Sequence, residues 1–193
     1  MHEDLEKVKL LARDLRDGKE FPRSPRATLA SYVLAARAVD KCRAVLVDWQ
    51  GEYHSNCPLD QRWLNFAEID YGDFRSLVAT GATDDEIAKW IGKHAKKRSR
   101  AEIVAWNNKE RDLRLSDLPH ELQEFMENYI ERYVPRIRVV YHWFDAYDLE
   151  EQRISEMVGT PRCGVRSAQR ADLPQDDLSA SRNLMLISDV SVR

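Results

Sequence analysis

Breakers are scarce in this sequence, with only 7 Gly and 7 Pro among 193 residues. That leaves little material for a many-turned β-architecture and favours helices. Cysteine is scarcer still: Cys42, Cys57 and Cys163 stand far apart. Without a CxxC pair or a zinc-finger spacing, neither a disulfide framework nor a structural zinc module is encoded. Free thiols in a reducing cytoplasm are the simplest expectation. Apolar runs fall short of the roughly 20 residues that span a bilayer. The opening "MHEDLEKVKLLARDL" is too charged for a signal peptide. A dominant charge is also missing, since a formal net charge of −3 exerts no global pull on nucleic acid or anionic lipid. The signatures G-x-G-x-x-G, P-loop, G-x-S-x-G and H-E-x-x-H do not occur. Nucleic acid and membranes are therefore not expected as partners, and no cofactor or metal is expected.

What is present fits one globular domain. The apolar fraction of 43% suffices for a core, and 33% charged residues imply a solvated surface. Helical spacing recurs along the chain. Leu5, Val8, Ala12 and Leu15 predict a helix over 4–16. Ser24 followed by Pro25 predicts the start of a second helix reaching about Trp49. Its core stripe would be Leu29, Tyr32, Ala36, Val39, Cys42, Leu46 and Trp49, with Arg37, Lys41 and Arg43 off the stripe. "LDQRWLNFAEI" and "YGDFRSLVAT" read as short helices, the latter capped by Asp70. "TDDE" at 83–86 and "SRAE" at 99–102 are capping boxes that start two more. An amphipathic helix follows from about Pro119 to Pro135, with Glu121, Glu124, Glu127 and Glu131 on its polar face. "RIRVVYHWFDAYDL" suits a strand or a final helix. The expectation is a mainly α, single-domain bundle of about seven helices over 1–158, with at most a minor β component near 137–144. A loosely ordered tail would occupy 159–193.

One stretch interrupts the scaffold. "GEYHSNCPLDQ", Gly51 to Gln61, gathers reactive residue types into a turn. Pro58 suits a first helical position, which makes Cys57 the N-cap, where the helix dipole favours its thiolate form. Asp60 opposes that by repulsion, and His54 could serve as a base. The bland alternative is a small buried side chain in a rigid turn. His54, Cys57 and Asp60 recur every three residues, yet Pro58 prevents a continuous helix through them, so a zinc site is disfavoured. Glu52, Tyr53, Asn56 and Gln61 could orient a small ligand between Trp49 and Trp63. Alternatively they satisfy the backbone of an irregular loop.

The motifs "PRSP" at 22–25, "DKCRA" at 40–44 and "GEYHSNCPLD" at 51–60 resemble DUF5069, a bacterial family known as a domain of unknown function. The resemblance extends over roughly 12–150 and implies where to look, without implying an activity. Arg23 of the first motif is expected to pair with Glu52 or Asp60, tying two motifs together. The basic run "KHAKKRSR" at 93–100 reads as a solvated loop, steered toward the acidic face of Glu121 to Glu131. The functional expectation is a helical protein that binds a small ligand or a protein partner through 51–61. Ligand-contact candidates are Glu52, Tyr53, Asn56, Gln61 and Arg23. The alternatives are a thiol enzyme using Cys57 with His54 or Asp60, and a purely structural or oligomeric scaffold.

Overall fold

A helix whose charged residues never reach water forms the axis of the molecule. This is α2 (Ala35–Leu46), where every residue from Ala35 to Ala44 is buried. The computed structural model describes residues 3–136 and 138–154, all within one compact unit. Ala36, Val39 and Cys42 face the core as their spacing predicts. Arg37, Lys41 and Arg43, expected off the stripe, are buried as well, together with Asp40. A buried charge is tolerated only when paired and hydrogen-bonded, and each of the four is. Arg37 Nη2 lies 2.6 Å from Glu151 Oε1. Asp40 Oδ1 lies 2.7 Å from Arg23 Nη2, Lys41 Nζ 2.8 Å from Asp60 Oδ1, and Arg43 Nη1 2.8 Å from Asp84 Oδ1. The helix is surrounded on all sides, so ionic spokes connect it to its neighbours.

That helix starts ten residues later than Ser24-Pro25 suggests. Ser24 Oγ does accept an N–H, from Arg26 at 3.1 Å, but it closes a local turn. A two-stranded antiparallel hairpin follows, β1 (Thr28–Leu29) and β2 (Tyr32–Val33), in register Thr28↔Val33. Its two turn residues, Ala30 and Ser31, have φ of 49° and 73°. Two successive left-handed residues match the twist of a tight hairpin. Helical spacing of Leu29 and Tyr32 concealed this hairpin. The two-stranded sheet thus lies at 28–33, and among the described residues near 137–144 the β component is the isolated bridge of His142 with Arg114.

Six further helices and α1 enclose α2. α1 (Leu5–Leu11) is capped by Asp4, whose side chain accepts from Lys7 N. α3 (Pro58–Ala67) buries Trp63 and Leu64, and α4 (Tyr71–Val78) is capped by Asp70. α5 (Asp84–His94) and α6 (Arg100–Arg111) both begin with complete capping boxes, Thr83 with Glu86 and Ser99 with Glu102. A short 3-10 turn leads to α7 (His120–Tyr133), and α8 (Trp143–Glu150) is the last helix among the described residues. There are eight α-helices among the described residues, in line with the expected bundle of about seven. The ambiguous segment resolves into α8 and an irregular stretch before it, which is tied to the chain before α7 by the isolated bridge of Arg114 with His142 and by Leu115 N donating to Tyr141 O at 2.9 Å. Ile137 and the tail 159–193, with Cys163, lie outside the described residues.

The basic run clamps α5 to α3. Arg98 donates to the Phe66 carbonyl at 2.9 Å and 3.1 Å and lies over the Phe66 ring, while Lys96 pairs with Glu68 at 2.6 Å. Its acidic partner is Glu68, not the face of Glu121 to Glu131. Among the described residues, no helix is long and apolar enough to cross a membrane.

Candidate ligand-binding cleft

Gly51 sets the turn. Its φ is +54°, and a Cβ there would stand 2.6 Å from the Leu15 carbonyl oxygen, so this position requires glycine. The close approach is held by Leu15 N donating to Trp49 O at 2.8 Å. Asn56 adds a second left-handed residue, φ 61°, which asparagine tolerates. The chain then enters α3 with Cys57 as N-cap and Pro58 in the first turn.

This turn forms one wall of a cleft of about 910 Å³. Glu52, Tyr53, His54 and Cys57 line it, and α7 and α8 supply the opposite wall through Phe125, Tyr129, Tyr133, Trp143, Tyr147 and Glu150. The aromatic wall is continuous: Tyr129 lies 4.9 Å from Tyr133 and 5.7 Å from Tyr147 between ring centroids. Arg37 and Lys41 reach the cleft from α2. The Arg37 guanidinium sits between Tyr147 and Tyr53, 5.1 Å and 5.6 Å from the ring centroids.

Electrostatics divides the lining in two. Burial works against the Arg37 charge, but Glu151 overrides it and raises the guanidinium above its ordinary pKa. The Tyr53 hydroxyl donates to Glu151 Oε1 at 3.0 Å, and burial pushes its phenol up; burial does the same to Tyr147. These phenols stay protonated and present neutral faces. Glu150 is different. Burial pushes its carboxyl up, while the Tyr129 hydroxyl, donating to Oε2, pulls it back only in part.

At the mouth of α3, Lys41 Nζ donates to Cys57 Sγ at 3.1 Å and also holds Asp60. Cys57 is partly exposed, whereas Cys42 is sealed and burial pushes its thiol up to about 12. The two thiols therefore differ in access and in charge environment.

The predicted site residues do not all meet. Glu52, Tyr53, His54 and Cys57 share the cleft, with Glu52 reached by the Tyr133 hydroxyl at 3.4 Å. Asn56 and Gln61 do not line it and hydrogen-bond each other instead. Asp60 is 2% exposed and committed to Lys41. Arg23 lies elsewhere, bound to Asp40 and, at 2.5 Å, to Asp84, so the expected link to Glu52 or Asp60 does not form. The PRSP motif is tied in by another route: Arg37 Nη1 donates to the Arg23 carbonyl at 3.1 Å. Among the described residues, no three His, Cys, Asp or Glu side chains converge as metal ligands. Sequence reasoning missed Arg37, Lys41 and the α7–α8 wall. Lys41 lies within the "DKCRA" motif, which was the one available signal.

The family model DUF5069, a domain of unknown function, matches residues 19–153. The chain belongs to DUF5069. The matched segment carries the turn, the charged helix α2 and both α7 and α8; of the cleft lining, only Leu15, Arg16 and Gly18 precede it. No curated protein matches this DUF5069 chain.

Proposed function

We propose that this DUF5069 protein binds a small organic ligand with a flat, apolar body in the cleft between the 51–58 turn and α7–α8. The observation that carries the reading is an aromatic-walled cavity of about 910 Å³ with the cations of Arg37 and Lys41 along one side. That volume is within the range of about 300–1,000 Å³ typical of small-molecule sites, which combine apolar walls with few convergent polar groups. The neutral tyrosines favour ring stacking, and the polar turn supplies the orienting contacts. The three scattered cysteines fit a cytoplasmic setting for this activity.

The test uses 1-anilinonaphthalene-8-sulfonate, an anionic aromatic probe, titrated into the full chain. Saturable one-site fluorescence is expected, weakened by roughly tenfold or more in Asn128→Trp and Leu122→Trp, which narrow the cleft. Both variants should keep the wild-type urea midpoint. Non-saturating fluorescence, or binding unchanged in both, would leave the turn as architecture alone.

A further inference from the structure

We infer that Cys57 is a nucleophile and that the cleft captures ring-bearing α,β-unsaturated carbonyl compounds as thioethers on its sulfur. The inference rests on the ligand-binding reading above and names the class of ligand. Three features of the site support it. First, an ammonium has three N–H donors and no acceptor, so in the 3.1 Å contact Lys41 donates and the Cys57 sulfur accepts. A sulfur accepts best as thiolate. Second, Cys57 occupies the N-cap position of the ten-residue helix α3, whose positive end adds to the same bias. Asp60, the nearby carboxylate expected to repel a thiolate, is drawn into the ion pair with Lys41 at 2.8 Å. Third, Arg37 lines the same cleft, is 2% exposed, and carries an Nε without a hydrogen-bond partner among the described residues. A ligand carbonyl is the acceptor chemistry that this donor lacks.

Addition to an activated alkene uses only what the site holds. The thiolate forms an S–C bond to the β-carbon, and the alkene π pair moves through the α-carbon onto the carbonyl oxygen. The resulting enolate takes a proton at the α-carbon from the Lys41 ammonium, which is reprotonated by solvent. The net change is S–H added across C=C, with no oxidant and no leaving group. A transfer or hydrolysis would also need a placed base, whereas addition does not require the exposed His54 at the rim of the cleft. Lys41 is a positioning residue in this scheme as well as the proton source.

The experiment follows alkylation of each thiol by peptide mass spectrometry in the full chain, with N-ethylmaleimide and N-phenylmaleimide as the probes and N-acetylcysteine as the free-thiol reference. Cys57 should react with N-ethylmaleimide at least roughly tenfold faster than the reference at neutral pH, while Cys42 stays unlabelled. The phenyl reagent should be favoured over the ethyl reagent more strongly than the reference favours it. Because Lys41→Met alone strands the Asp60 charge, the decisive variant is Lys41→Met with Asp60→Asn. It should slow Cys57 by roughly tenfold and steepen the rise of its rate with pH. A folded double variant that labels as fast as wild type, with the same pH dependence, overturns the inference. A phenyl preference with a slow, Lys41-independent rate also overturns it while leaving the ligand reading intact. A fast, Lys41-dependent rate with no phenyl preference supports the nucleophile and removes the aromatic-ligand reading.

Discussion

At the residue scale the governing fact is that α2 carries four charges and exposes none. Arg37 is the most committed: Glu151 meets it with both oxygens, at 2.6 Å and 2.9 Å, and the Glu151 side chain is itself fully buried. Such a pair contributes little compared with an apolar replacement, yet losing one partner strands a charge. Glu151→Leu should therefore cost about 3–5 kcal/mol in urea denaturation. Arg37→Met combined with Glu151→Leu should recover most of that loss, a non-additivity that a double-mutant cycle reads directly. Additive losses would mean the pair is not coupled as the geometry states. These charges also explain what could not be read beforehand. A lysine off a helical stripe reads as solvated, and nothing local marks Lys41 as buried, because its partner Asp60 sits on another helix. By contrast the Gly51 turn and the Cys57 cap were legible, since turn chemistry and proline at a helix start act over a few residues.

At the scale of elements, the same contrast holds between ends and middles. Asp70, Thr83 with Glu86, and Ser99 with Glu102 mark helix starts by short-range hydrogen bonds, and the structure has them there. The 28–33 hairpin was hidden because Ala30 and Ser31 are not residues that advertise left-handed turns. The contact between α7 and α8 is a third case, legible from neither end, and it yields a pH prediction. Burial holds the Glu150 carboxyl above its ordinary value of 4.5. Well below that value both folded and unfolded chains are protonated there, and Glu150 contributes nothing. As pH rises, the unfolded chain releases its proton first, so the folded state binds more protons and loses stability with rising pH. Glu150→Gln removes this penalty. Its stability relative to wild type should grow from near zero at low pH to a plateau above the folded pKa, read from urea midpoints between about pH 4 and about pH 8. A difference that is constant, or that shrinks with pH, would contradict the burial of this carboxyl.

For the molecule as a whole, the cleft joins parts of the chain that are distant in sequence. One wall comes from the turn after α2 and the other from α7 and α8, with α3 to α6 lying between them in sequence. Unfolding separates these walls, so whatever binds between them binds the native state alone. Linkage then fixes the size of the effect without reference to the ligand's identity. At a free probe concentration of 100 times Kd, a single native-state site adds about 2.7 kcal/mol to unfolding. Titrating 1-anilinonaphthalene-8-sulfonate should raise the stability of the wild-type chain along this logarithmic curve, with Kd taken independently from fluorescence. In Asn128→Trp the curve should shift to higher probe concentration by the same factor as the fluorescence Kd. If the stability gain and the fluorescence affinity fail to move together, the probe is reporting another surface. In that case the cleft joins the turn to α7–α8 as architecture, and the paired charges of α2 need no ligand to explain them.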